Sequence, residues 1–206
     1  MQFSATLARH MALPLVLACG LHSACFAKTL PDLVAYIPGS LPTMRWDARP
    51  EAAAWTAQTM AVVAAHDAEL ANTVPADIAT FCPRYPNATL NERRAFWVGL
   101  LSATAKHESG FNPRAAGGGG RYVGLMQISP RTASHSRCAA RSATDLKDGA
   151  ANLACAVQIA APKVAQDGVV AGNGKYGIGR DWGPFQNKVA RAEIAKWTAK
   201  QSYCQG

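Results

Sequence analysis

The chain has 206 residues, 49% of them apolar and 8% aromatic, with a formal charge of +8. That length suits one ordinary domain with short extensions, and the apolar share can bury a core without a metal or dense cross-linking. The basic balance favours polyanionic partners, but no Lys/Arg run interleaved with aromatics marks a nucleic-acid surface.

The first segment is not read as part of the fold. Arg9 and His10 precede the short apolar run MALPLVLAC, and small residues then lead to CFA before Lys28. This is the layout of a secretory signal peptide, with cleavage expected after Ala27. Its removal takes away Arg9 and no acid, leaving +7. No later stretch is long and apolar enough for a membrane-spanning helix. Residues 28–50 hold four prolines and read as an irregular arm. With the helix that follows, they form an N-terminal region over 28–80, ahead of a domain at 81–206.

Pro50 and Glu51 suit the first turn of an Ala-rich helix over 51–71, which either packs on the domain or stands apart from it. Residues 81–87, FCPRYPN, are rich in turn formers, and Asn87-Ala88-Thr89 matches a glycosylation sequon by coincidence. A second helix is expected from Asn91, taken as its N-cap, to His107. Phe96, Leu100 and Ala103 share one face, with Trp97, Leu101 and Thr104 beside it. Gly110 and Pro113 stop it. Residues 114–121, RAAGGGGR, read as a flexible loop, and Tyr122 to Ile128 as a short strand or an irregular return. Ser129-Pro130 starts a short helix. Residues 148–166 are helical, with Leu153, Val157, Ala160 and Val164 on one stripe and Pro162 placed to kink or shorten it. After the loop 168–183, one more helix is expected from about Pro184 to Lys200. The domain is therefore mainly α, with at most a small β element.

Cys19 and Cys25 lie inside the leader, so four cysteines remain: Cys82, Cys138, Cys155 and Cys204. An even set in an exported chain points to two disulfides. Of three possible pairings, Cys138–Cys155 with Cys82–Cys204 is favoured. The first closes a short loop and the second ties the chain end to the start of the domain. A competing reading makes Cys19 a lipidated first residue of an outer-membrane lipoprotein, which leaves an odd number of other cysteines.

Glu108 is the candidate for chemistry. It follows an apolar-faced helix and precedes a Ser-Gly turn, where a carboxyl can sit shielded from water beside a cleft. Desolvation would hold it protonated near neutral pH, as a general acid for glycosidic cleavage requires. A conventional glycosidase needs a second carboxylate, and no Asp or Glu occurs from Ser109 to Thr144. Asp145, Asp148 or Asp181 could return in space. His107-Glu108 lacks the second histidine of a zinc protease, and the glycine run lacks the Lys-Ser or Lys-Thr of a phosphate loop.

The segment KHESGFNPRAAGGGGRYVGLMQISPRTA resembles the soluble lytic transglycosylase catalytic domain, a branch of the goose-lysozyme-like superfamily. The resemblance rests on Glu108-Ser109, Phe111-Asn112-Pro113, and Gly124-Leu125-Met126-Gln127-Ile128. It extends to Asn152-Leu153 and to Tyr176 with Gly179, where Gly177 and Ile178 replace the family's Asn-Ala. It covers about residues 85–200. The resemblance implies a lysozyme-like fold and an enzyme that needs no cofactor or metal. It also implies cleavage of peptidoglycan glycan strands between MurNAc and GlcNAc, with Glu108 as acid and then base. Ser109, Gly124, Leu125, Met126, Gln127 and Tyr176 are the expected substrate-binding residues. Trp182 and Phe185 are more simply core. Hydrolysis by the same fold, or wall binding with little activity, are the alternatives. By family analogy, the partners beyond the wall are secretion, conjugation or phage machines. The chain is expected to act as a monomer in the periplasm or outside the cell.

Overall fold

The computed structural model describes residues 41–206. The expected leader, Cys19 and Cys25, and residues 28–40 of the arm lie outside the described residues. Those described form a mainly helical fold with one small antiparallel sheet.

The elements follow from local chemistry. Helix α1 (Ala52–Ala65) buries Trp55, Thr56, Thr59, Met60 and Val63 and packs on helices α3 and α5. The Trp46 indole donates to Thr56 Oγ1 at 2.9 Å, so the preceding segment is held to α1. Gly149, at the start of α5, lies so close to Trp55 that a Cβ there would stand 2.4 Å from the indole nitrogen. Helix α1 is therefore docked and not free-standing, and no break in the apolar core falls at residue 80. It ends earlier than its sequence pattern suggests, and residues 66–71 continue as turns. A short helix, α2 (Ile78–Phe81), follows.

Helix α3 (Leu90–Ser109) is the central element. Every residue from Ala95 to Ala105 is buried, the mark of a helix enclosed on all sides. Its cap is Thr89, not Asn91. The Thr89 hydroxyl accepts from the Glu92 N–H, while the Glu92 carboxylate accepts from the Thr89 N–H. This capping box satisfies two orphan groups at once, which Asn91 could not do from inside the first turn. The chain end closes over α3. The Tyr203 hydroxyl lies against Gly99, where a Cβ would come within 2.1 Å of it.

Strands β1 (Ala116–Gly117) and β2 (Tyr122–Val123) pair antiparallel, and Val123 also bridges to Ile128. Half of the expected flexible loop is thus a hairpin. Helix α4 (Pro130–His135) is capped by Ser129, whose hydroxyl accepts from Thr132 N–H. Helix α5 (Gly149–Asp167) runs through Pro162 without ending there and stops at left-handed Gly168. The last expected helix is two: α6 (Gly183–Gln186) and α7 (Lys188–Ala199). Asn187 breaks it, because its side chain caps α7 by accepting from Val189 and Ala190 N–H.

Cys82 is bonded to Cys204 and Cys138 to Cys155. The first bond pins the C-terminal turn beside α2. The second ties the end of α4 to the middle of α5.

Candidate active site

The last turn of α3 carries Lys106, His107, Glu108 and Ser109, which point in different directions around the helix. Lys106 and His107 meet α7. His107 Nε2 lies 2.8 Å from Glu193 Oε2, and Lys106 Nζ 3.9 Å from Glu193 Oε1. Arg45 forks onto the same carboxylate and also lies over the Trp197 ring. The Arg45 hydrogen bond, followed by the one from His107, holds the Glu193 carboxyl down at about 2. Glu193 therefore anchors the end of α3 as a permanent anion.

Glu108 is treated in the opposite way. It is half-buried and makes no hydrogen bond or ion pair among the described residues. Burial alone pushes its pKa up to about 7. A carboxyl in that state gives up and takes back a proton at neutral pH with little driving force against either step.

The chain reverses sharply beyond it. Gly110 and Phe111 are both left-handed, at φ 59° and 65°. A bulky residue in that region is strained by about 1–3 kcal/mol. The half-buried Phe111 side chain packs against the core and holds the turn in place. Ser109 Oγ donates back to the Ala105 carbonyl at 3.2 Å, within the last turn of the helix.

The return segment 122–128 is fixed from beneath by Asn152, which is fully buried in α5. Its amide nitrogen donates to the Val123 and Leu146 carbonyls, both at 2.9 Å, and its oxygen accepts from Met126 N–H at 2.8 Å. Gly124 is obligatory. Its φ is +82°, and a Cβ would stand 2.2 Å from both the Asn152 amide and the Leu146 carbonyl. Leu125 and Met126 are fully buried, with their side chains packed in the core. The Trp182 indole, also buried, donates to the Met126 carbonyl at 2.9 Å. Phe185 is core as well. Gln127 is left-handed at φ 46°, and its amide nitrogen is spent on the Gly124 and Ala115 carbonyls. It staples the hairpin and leaves only its side-chain oxygen, near Gly117, to accept a ligand proton.

Tyr176 is 51% exposed and makes no hydrogen bond to Glu108. It precedes a tight 3-10 turn (Gly177–Arg180). Gly177 has φ +51°, and a Cβ there would lie 2.4 Å from the Val169 and Val170 carbonyls, so the residue that departs from the family pattern is one the loop requires. Two carboxylates clamp this loop. Asp77 accepts from Val170, Ala171 and Gly172 N–H, and Asp167 accepts from Gly177 N–H and pairs with Arg180. The Asp77 clamp was not evident from sequence spacing, because its partners lie more than ninety residues away.

The acids that might have supplied a second carboxylate are committed elsewhere. Asp145 accepts from Ser142 and Arg141 N–H, Asp148 caps α5, and Asp181 pairs with Lys163. A hollow of about 430 Å³ beside Lys175, Arg180 and Gln186 does not include Glu108. Among the described residues, no three His, Cys, Asp or Glu side chains gather as a metal site.

Residues 87–166 match the family model described as the transglycosylase SLT domain. The chain is similar in structure to Bd0314 DslA, wild-type form 2, at 27% identity and a TM-score of 0.71, covering 80% of this chain and 98% of that one. Two glutamate-to-glutamine mutants of Bd0314 DslA, substituted at positions eleven apart, are similar to the same degree. Their identities are 27% and 26%, with TM-scores of 0.72 and 0.71. They cover 80% of this chain and 98% and 99% of their own. No curated protein matches the chain.

Proposed function

We propose that this chain, whose residues 87–166 match the family model of the transglycosylase SLT domain, is a peptidoglycan lytic transglycosylase whose single catalytic carboxyl is Glu108. It cleaves the β-1,4 bond between MurNAc and GlcNAc. Protonated Glu108 donates to the glycosidic oxygen as that bond to C1 breaks. The substrate's N-acetyl group stabilises the developing cation. The Glu108 carboxylate then takes the proton of the C6 hydroxyl, and O6 closes on C1 to give 1,6-anhydro-MurNAc. No water is consumed, and the residue ends protonated as it began.

One observation carries this reading: the half-buried, unpartnered Glu108 carboxyl, raised by burial to about 7. Among the described residues, Asp145, Asp148 and Asp181, the acids that could have supplied a second carboxylate, are engaged elsewhere, which supports it. The two glutamates substituted in Bd0314 DslA lie eleven residues apart, whereas the residues eleven before and after Glu108 are Trp97 and Gly119. Gly124 lets the return segment pack closely on Asn152, and the Gln127 oxygen and the Tyr176 ring offer the substrate contacts. Ser109 acts through the helix end. The two disulfides support export through residues 1–27 to an oxidising compartment.

Product mass from purified sacculi tests the reaction. Anhydro-muropeptides are expected from the wild-type chain and none from Glu108→Gln. Products with a reducing end would instead mean hydrolysis, and turnover by the variant would remove Glu108 from the mechanism.

A further inference from the structure

From Ser109 to Thr144 the chain carries five arginines, Arg114, Arg121, Arg131, Arg137 and Arg141, and no Asp or Glu. In the fold this stretch is the turn after α3, the hairpin and α4, which together follow directly on Glu108. All five arginines are exposed, and none forms an ion pair among the described residues. Elsewhere the pattern differs: Arg45, Arg49, Arg84, Arg94 and Arg180 each meet a carboxylate.

The last of the five has local company, and Arg137 lies beyond the end of α4. The Arg141 guanidinium donates to the Cys138 carbonyl, and the Asp145 carboxylate lies at the Arg141 backbone. The first three have none. Arg114 stands in the turn that Asn112 closes by accepting its N–H. Arg121 stands at the tip of the hairpin, next to the exposed Tyr122 ring. Arg131 lies in the first turn of α4, where the helix dipole works against a cation. Three exposed cations within eighteen residues of chain, with no ion-pair partner among the described residues, repel one another, and folding gains little from them. A ligand with carboxylates relieves that repulsion, and the planar guanidinium fork matches a carboxylate in two-point hydrogen bonding.

We infer that Arg114, Arg121 and Arg131 form a rim that binds the carboxylates of the stem peptides borne by the glycan strand beside the bond to be cut. The inference rests on the proposed reaction at Glu108 and adds a preference to it: peptide-bearing strands bind more tightly than bare ones. Each exposed contact is weak alone, so the effect belongs to the three together.

The test uses the full mature chain and its Arg114→Gln/Arg121→Gln/Arg131→Gln variant. The substrates are sacculi freed of attached wall polymers, either intact or with the stem peptides removed by an amidase. The triple variant is expected to raise KM on peptide-bearing strands by about ten-fold, from three contacts of a few-fold each, with kcat unchanged. Its KM on bare strands should stay within about two-fold of wild type. Lys200→Gln, at the far end of α7, controls for lost charge and should change neither. An equal loss on both substrates, or no loss on either, overturns the proposal. If the wild-type chain cuts neither substrate, the reading of Glu108 fails, and pelleting with sacculi still decides the rim. Salt-sensitive binding that needs both the peptides and the three arginines sustains it. Binding indifferent to the peptides, or restored only by phosphate-bearing wall polymers, overturns it.

Discussion

The helical scaffold and the segment that follows Glu108 handle polar groups in opposite ways. In the scaffold, Arg45 and His107 are matched to Glu193, Arg94 to Asp67, Arg84 to Glu92, and the Trp97 indole to the Tyr85 hydroxyl. In the site segment, the Glu108 carboxyl has no partner, three arginines have no counter-charge, and three non-glycine residues, Phe111, Gln127 and Arg137, are left-handed. Unsatisfied groups and strained backbone cost stability. A fold tolerates them where function uses them and where the rest is tightly bound. The contrast between Glu193 and Glu108 is the clearest instance: an anion held at about 2 in the middle of α7, and a proton carrier raised to about 7 in the last turn of α3.

The comparison can be broken most directly at Glu108. Glu108→Gln removes the proton donor and is expected to lower kcat at least 10³-fold, within the range of general acid catalysis, while circular dichroism stays native. Turnover near wild type would end it. For the wild type, kcat/KM should fall as pH rises through about 7, because the free enzyme must hold that proton.

Asn152 tests the boundary between the two regions. Asn152→Leu deletes three hydrogen bonds and strands buried backbone groups at Val123, Leu146 and Met126. A loss of about 3–4 kcal/mol in urea unfolding is expected, with activity falling further than stability requires. Opening the Cys138–Cys155 bond as the double Ala variant should cost about 3 kcal/mol. A loss much below that, in the same denaturation experiment, would mean that α4 and α5 are held without it.

The smallest effect has a sign opposite to the others. Burial raises the Glu108 pKa in the folded state, so the folded state holds this proton more tightly than the unfolded chain does. Below about pH 4.5 both states are protonated and the group costs nothing. As pH rises toward and past 7, ionisation penalises the fold. Glu108→Gln should therefore stabilise the protein at pH 8 by about 1–2 kcal/mol, after allowing for partial exposure, and leave it unchanged at pH 4. A variant destabilised at pH 8 would show that Glu108 has a structural partner.

Several elements were legible in the residues themselves. The core helix around Phe96 and Leu100, the stripe of α5, the Ser129-Pro130 helix start and the pairing of four cysteines are local or parity signals. The misreadings have local causes too. Thr89 outcompeted Asn91 as a cap because Glu92 completes a reciprocal pair. Asn187 split one apolar stripe into α6 and α7. Met126 was open between subsite and core because a motif gives no direction for a side chain, and burial sent it inward.

The sequence by itself determined that one carboxyl ends an apolar helix, that none occurs in the thirty-six residues after it, and that the same stretch is purely cationic. Only the tertiary structure decided what surrounds that carboxyl. The pKa of Glu108 depends on how much water neighbouring elements exclude. The place of the Tyr176 loop depends on Asp77, ninety residues upstream. Charge and periodicity are written along the chain, whereas desolvation and long-range hydrogen bonding exist only once distant segments meet.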